Sequence, residues 1–240
     1  MNFSTDTKVK DIALSNPAAR HVLEDARVDF CCGGGKSLHE ACVSAGANAE
    51  EILEKLRENS RHVDASEVNW TTAPLSDLTA YIKNHHHQYV REAIRRVTPL
   101  MEKVVNKHGA HRPELAEISS SFKAVANEMA AHMQKEEHIL FPFIDSLDRA
   151  STGNETPEAP FFQTVRNPIH AMMKEHDAAG DLVRQIRKSS SDYQAPADAC
   201  ASYQALFQEL QEFERDLHEH VHLENNILFP RAVELEAVVL

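Results

Sequence analysis

Beyond residue 75 the chain repeats apolar positions at steps of three and four, the period that lines one face of an α-helix. Four stretches of this kind are long. The first runs from Ser76 to Asn106 through Leu78, Ile82, His86 or His87, Val90, Ile94, Val97 and Met101. The second follows a His-Gly-Ala-His-Arg break and runs from Pro113 to Leu147. The third starts at Asn167-Pro168 and sets Ile169, Met173, His176, Gly180, Val183 and Ile186 on one stripe. The fourth extends from Pro196 to Glu236 through Leu206, Leu210, Phe213, Leu217, His220, Glu224 and Leu228. Segments 151–160 and 189–196, rich in Ser, Pro, Asn and Asp, read as the loops between them. Short connections between long helices predict an all-α protein, an antiparallel four-helix bundle over residues 76–240.

Upstream the pattern is shorter and differently punctuated. Asn16-Pro17 reads as a helix cap with Pro at the first helical position. Ser37-Leu-His-Glu40 carries the capping-box pattern, and Asn48-Ala-Glu-Glu51 a close relative of it. Residues 1–60 therefore read as a small helical domain and residues 61–75, which lack a period, as its linker. A unit this small buries little apolar surface alone. It is expected to dock on its own bundle or on a partner subunit, the second arrangement giving a homodimer.

Composition narrows the function. Apolar residues make up 42% of 240, with only 7 Gly and 10 Pro, which suits a mostly helical globular chain. A net charge of −12 without a basic block argues against nucleic acid and anionic membrane as partners. No stretch approaches the roughly 20 apolar residues of a membrane span, and the N-terminus lacks a secretory apolar run. A cytoplasmic location is expected. The 4 cysteines (Cys31, Cys32, Cys42 and Cys200) do not form a disulfide framework. Cys42 and Cys200 lie within helical patterns and are expected to be buried and inert. Cys31-Cys32-Gly33-Gly34-Gly35 reads as an exposed, flexible thiol pair suited to redox work or to transient binding of a metal or NO.

The stripes also carry chemistry. His132-Met-Gln-Lys-Glu136-Glu-His-Ile-Leu140-Phe141-Pro142 and His220-Val-His-Leu-Glu224-Asn-Asn-Ile-Leu228-Phe229-Pro230 both read H-x3-E-x3-L-F-P. Residues four apart on a helix share a face, so each copy projects an imidazole and a carboxylate together. A lone histidine precedes each copy at matching distance: His87 lies 45 residues before His132, and His176 lies 44 before His220. Two such halves supply four imidazoles and two carboxylates: His87, His132, Glu136, His176, His220 and Glu224. Buried carboxylates on apolar stripes are costly unless paired or coordinated. Six protein ligands around two ions leave room for an oxo or hydroxo bridge and one exchangeable small molecule. A nitrogen-rich, oxygen-bridged shell favours iron over zinc, and so a non-haem Fe–O–Fe type centre.

His85-His86-His87 offers three candidates for the first ligand. Periodicity admits His86 or His87, the half-repeat distance favours His87, and His85 is expected to face solvent. His138, His170, His218 and His222 flank the site at offsets that point away from it. Glu128 and Glu175 read as surface charges, with an outer hydrogen bond to a ligand or a part in ion entry as the alternative. The Leu-Phe-Pro phrases are expected to close the bundle and terminate their helices. The ferritin-like ligand set, with its Glu-x-x-His motifs, fits less well than His-then-Glu at a spacing of four.

The set of motifs resembles a known family. Val28-Asp29-Phe30-Cys31-Cys32-Gly33-Gly34, joined to H-x3-E-E-x-I-L-F-P, Glu175-His176-Asp177-x-x-Gly180 and E-H-x-x-L-E-N-N-x-L-F-P, is similar to the hemerythrin-like repair-of-iron-centres proteins. The resemblance spans essentially the whole chain. It implies a non-haem di-iron centre with Glu136 and Glu224 as bridging carboxylates. It further implies restoration of iron–sulfur clusters damaged by nitric oxide or oxidants, with iron donation as one route and damaged iron–sulfur proteins as partners. On this reading Cys31 and Cys32 are the working thiols of repair. The alternatives are a protein that binds and scavenges nitric oxide or dioxygen at the same centre, and an enzyme that reduces nitric oxide there.

Overall fold

The computed structural model describes residues 3–59, 68–153 and 160–240. Among these residues there are eleven α-helices, three five-residue π-helical turns and no strand, only an isolated bridge between Lys8 and Ser37. Two compact units are distinguished, Met1–Ala73 with Val221–Pro230, and Pro74–His220 with Arg231–Leu240.

The first unit contains α1 (Val9–Ser15), α2 (Pro17–Asp25), α3 (Leu38–Ala45) and α4 (Ala49–Asn59). Its helix starts follow the caps written in the sequence. Asn16 Oδ1 accepts from the Ala19 N–H at 2.7 Å ahead of Pro17. Ser37 and Glu40 close a reciprocal capping box, and Asn48 Oδ1 accepts from the Glu50 N–H. Ile12, Leu23, Leu38 and Leu53 are among the side chains that form the core. The expected linker, 61–75, lies partly outside the described residues. Its described end is a turn in which the Ala73 N–H donates to the Asn69 carbonyl, and α5 opens at Leu75.

The second unit holds the long helices. The first is α5 (Leu75–Ile82), a π turn (Lys83–His87) and α6 (Gln88–His108). The second is α7 (Glu114–Lys135), a π turn (Glu136–Leu140) and α8 (Phe141–Ser151). The third is α9 (Arg166–Ser189). The fourth is α10 (Ala201–Leu223), a π turn (Glu224–Leu228) and α11 (Phe229–Val239). The first two run antiparallel: Ser76 bonds Asp148, Thr79 bonds Asp145 and His87 bonds Glu137, one number falling as the other rises. His86–Asp216, Arg96–Glu209 and Arg112–Asp198 set the first against the fourth in the same sense. The second lies against the third through His132–Glu175 and Gln185–Glu117.

Three expectations are corrected. The buried stripe of α9 uses Met172 and Ala179, while Met173 is 41% exposed. The two assignments differ by one residue, about 100° on the helix, and an apolar Met-Met pair gives the pattern no way to choose. The fourth helix begins at Ala201 instead of Pro196, because Pro196–Ala199 is a turn closed by its own backbone bond. Neither Leu-Phe-Pro phrase ends a helix: α8 and α11 continue beyond it. In each case the preceding π turn accommodates the proline. The Phe141 N–H reaches back to the Glu136 carbonyl, and the Phe229 N–H to the Glu224 carbonyl, so the ladder is already widened where Pro142 and Pro230 withdraw a donor.

No described helix is long and apolar enough to cross a membrane.

Candidate metal centre

Three of the six candidate ligands stand on the π turns. His87 ends the first, Glu136 opens the second and Glu224 opens the third. A π turn adds a residue's width to the helix and swings side chains off the regular stripe, a geometry frequent at functional sites. His132 lies one turn before Glu136 on α7, and His176 lies mid-way along α9. Glu224 lies one turn beyond His220 in a helix that is continuous from Ala201 to Val239.

All six are at most 1% exposed. Their ligand atoms fall into two groups, each with all atoms within 4.8 Å of one another. One is His87, Glu136, His220 and Glu224; the other is His132, Glu136, His176 and Glu224. Both carboxylates belong to both groups, and each group adds two imidazoles of its own. His87 Nε2 and His132 Nε2 each lie 3.3 Å from a different oxygen of Glu136. His132 Nε2 and His176 Nε2 converge to 3.0 Å.

The donor chemistry fits cations. Two fully buried carboxylates carry charge that a low-dielectric interior does not tolerate uncompensated. Imidazole nitrogens aimed at one point from different helices supply lone pairs that a metal accepts.

Two further carboxylates decide which imidazole nitrogen faces inward. Glu137 Oε1 lies 2.7 Å from His87 Nδ1 and 2.6 Å from Arg91. Burial pushes Glu137 up, but hydrogen bonds from Arg91 and His87 outweigh it and hold the carboxyl below its ordinary range. Glu175 meets His132 Nδ1 at 2.9 Å and pairs with Lys135. Its burial is likewise outweighed by Lys135 and His132. An ionised carboxylate can only accept, so Nδ1 carries the proton on His87 and His132 and Nε2 offers its lone pair inward. Nothing in the sequence singles out Glu137 beyond its adjacency to Glu136, whereas Glu175, expected as a surface charge with an outer hydrogen bond to a ligand as the alternative, makes that bond. Glu128 is indeed exposed.

The histidine run separates by environment. His85 is exposed and stacks on Tyr81. His86 is buried against Asp216 at 2.9 Å, and His87 alone of the three joins a ligand group. His138 and His170 are exposed and His218 is half-buried. His222 joins neither ligand group and is fully buried: its Nδ1 accepts from Asn226 at 2.9 Å and its ring meets the edge of Phe30. Burial first, then Arg20, pushes it down to about 3, so it is neutral.

The thiol pair is neither exposed nor loose in build. Cys31 is 7% exposed and Cys32 half-buried. Asp29 Oδ1 accepts the backbone N–H groups of Cys31, Cys32 and Gly33, which winds the segment around one carboxylate. Asn226 Nδ2 donates to the Phe30 carbonyl at 2.9 Å. A hydrogen bond with Cys32 and burial hold the Cys31 thiol well above its ordinary range. Asp29, Cys31 and Cys32 also form a compact group of possible metal donors. The three glycines are not equivalent. A Cβ on Gly34 would meet Asn226 Oδ1 and the Phe30 carbonyl at 2.9 Å, whereas one on Gly35 would meet nothing within 4 Å. Cys42 is buried, as expected. Cys200 is not, because it precedes α10 and is only half-buried.

Residues 77–232 match the model of the hemerythrin HHE cation binding domain, and residues 5–60 match ScdA_N, a domain of unknown function. A probable iron-sulfur cluster repair protein of Haemophilus influenzae is 34% identical over 97% of this chain and 99% of its own. The iron-sulfur cluster repair protein YtfE of Musicola paradisiaca is 34% identical over 95% of this chain and 96% of its own. The repair protein ScdA of Staphylococcus haemolyticus is 28% identical over 95% and 98%. With one model covering most of its length and repair proteins aligned along nearly all of it, the chain belongs to the hemerythrin-like family of iron–sulfur cluster repair proteins.

Proposed function

We propose that His87, His132, Glu136, His176, His220 and Glu224 hold two iron ions, with Glu136 and Glu224 bridging, and that the chain restores damaged iron–sulfur clusters. The observation that carries the di-iron reading is the sharing of both carboxylates by two groups that otherwise use different histidines. The repair reading is supported by the names of relatives that align end to end with this chain.

A bound iron pair supplies labile metal and one-electron redox chemistry. The chain's own residues supply the rest. Glu137 and Glu175 retain the Nδ1 protons of His87 and His132 and keep both rings oriented. The long helices and their three π turns bury both carboxylates completely. We assign residues 1–60 to a cysteine-bearing domain, 61–75 to a linker and 76–240 to the di-iron bundle, a division in keeping with the two family matches. In the first of these, Cys31 and Cys32 with Asp29 form the group that receives or passes iron during repair. All four cysteines are free thiols, which suits a reducing, cytoplasmic setting.

The test begins with metal. Protein purified with iron available should carry about two irons per chain, and Glu136→Ala or His220→Ala should lose them. Zinc alone, or iron retained in both variants, overturns the di-iron reading. Cys31→Ala/Cys32→Ala should keep the iron and lose repair of a damaged cluster protein; undiminished repair removes the thiols from the mechanism. A second reading rests on the ligand count: six protein ligands leave two ions room for a diatomic guest. Titrating the reduced protein with nitric oxide decides it. Stoichiometric uptake without any repair would make the protein a scavenger, and catalytic consumption an NO-reducing enzyme.

A further inference from the structure

The bundle carries another nucleophile, remote in sequence from every candidate ligand on α5–α9. Cys200 stands at the start of α10, where its carbonyl accepts from the Tyr203 and Gln204 N–H groups. Its Sγ lies 3.1 Å from Nε2 of His108, the last residue of α6. Thiol and imidazole therefore come from two different helices and meet at one end of the bundle. Cys200 borders a cavity of about 220 Å³ whose other lining residues are Lys103, Val104, Lys107, His108, Ala201 and Ser202.

Three features of this corner act together. The His108 ring gives the thiol proton a place to go. The backbone N–H groups of Ser202 and Tyr203, at the positive end of a helix, favour the thiolate, and Lys107 adds a positive charge. The His108 contact is the largest influence, and the thiol is lowered to about 7. The cavity wall contains two lysines one turn apart and no carboxylate. It is smaller than the roughly 300–1,000 Å³ of drug-sized ligand clefts, so it suits one arm of a small molecule. Reactive cysteines occupy such electropositive, part-exposed places, and inert ones do not.

We propose that Cys200 is a thiol–disulfide exchange site for small anionic disulfides, with His108 holding the thiol proton and Lys103 and Lys107 seating the negative charge. The step balances without an outside oxidant. The proton passes from Sγ to His108 Nε2, and the thiolate attacks one sulfur of the disulfide. The Sγ–S bond forms as the S–S bond breaks, and the second sulfur leaves as a thiolate that takes the proton from His108. Cys200 ends as a mixed disulfide and one equivalent of small thiol is released.

The intact iron-loaded protein is treated at pH 7 with dithiobisnitrobenzoate, a dianionic disulfide, or with cystamine, a dicationic one, and the modified cysteine is located by peptide mass spectrometry. Each rate is divided by that reagent's rate with free cysteine, because the aromatic thiol of dithiobisnitrobenzoate is the better leaving group. Cys200 should react first among the four thiols, and its rates so normalised should favour the anionic reagent by about tenfold, the lower end of electrostatic steering. Lys103→Gln/Lys107→Gln, at exposed positions, should erase that preference. His108→Gln should slow the reaction by up to about threefold. That is the upper bound: full return from about 7 to about 8.5 would cut thiolate roughly fifteen-fold and raise nucleophilicity about fivefold, and Ser202, Tyr203 and Lys107 still act in the variant. Cys200→Ser should abolish the label at that site, with iron content and helicity unchanged. Reaction of Cys200 no faster than that of buried Cys42, or equal normalised rates with both reagents in the unmodified protein, overturns the proposal without reliance on any variant.

Discussion

Glu137 and Glu175 brace two candidate ligands without being among the residues that the repeated phrase shares. Each accepts the Nδ1 proton of a candidate ligand, and each is kept ionised by a basic neighbour, Arg91 or Lys135. Outer carboxylates of this kind typically contribute 10–100-fold in metal affinity. Glu137→Gln should therefore weaken iron retention by about that range in competition with a chelator, while Glu128→Gln, on the exposed face, should leave it unchanged. The glycines give a second test at this scale. Gly34→Ala forces a Cβ against the Phe30 carbonyl and Asn226 and should cost about 1–3 kcal/mol in urea unfolding. Gly35→Ala meets open space, has no left-handed φ to violate, and should be neutral or slightly stabilising.

Among the elements, local chemistry explains why some boundaries could be read from the sequence and others could not. The capping box of α3 was legible because both partners are local: Ser37 accepts from the Glu40 N–H, and Glu40 from the Ser37 N–H. Ser37→Ala should lower the stability of the apoprotein by about 1 kcal/mol, read from its urea midpoint. These bonds hold the Glu40 carboxyl below its ordinary range. The folded state then binds the proton less readily than the unfolded chain. The contribution is complete above the unfolded value, near 4.3, and is lost as pH falls through the lower folded one. Ser37→Ala removes the hydroxyl but keeps the backbone donor, the larger influence, and should flatten that acid limb only in part. The π turns were not legible, because an i→i−5 bond has no residue signature of its own. The Leu-Phe-Pro phrases looked like terminators because proline in a regular helix is one, and the widened turn before it removes that conflict. The start of α10 was missed for a related reason. Apolar periodicity continues upstream of Ala201, while the turn that displaces Cys200 from the helix is made by backbone bonds. The ligand set was legible because His-x3-Glu is a helical spacing. The outer carboxylates were less so, since Glu175 reaches its partner His132 across helices.

For the molecule as a whole, the centre sets function against stability. Glu136 and Glu224 are fully buried among imidazoles in a chain already carrying a net charge of −12. Enclosing two carboxylates costs several kcal/mol per ion unless cations compensate, so the metal-free fold bears a penalty that the iron-loaded fold does not. Ligand binding to the native state alone raises stability by RT ln(1 + [L]/Kd), about 4 kcal/mol at a thousandfold excess over Kd. Chelating the iron should therefore lower the melting temperature by well over a few degrees, and adding ferrous iron back should restore it. Replacing both carboxylates separates this linkage from ordinary packing. Glu136→Gln/Glu224→Gln keeps the side-chain volume and removes the charge. Without metal, the double variant should be more stable than the unmodified apoprotein by on the order of 1–4 kcal/mol. With iron present it should gain nothing, whereas the unmodified protein should overtake it. If the variant apoprotein is instead the less stable of the two, the carboxylates are already compensated by the imidazoles around them, and the fold does not depend on cations to offset their burial.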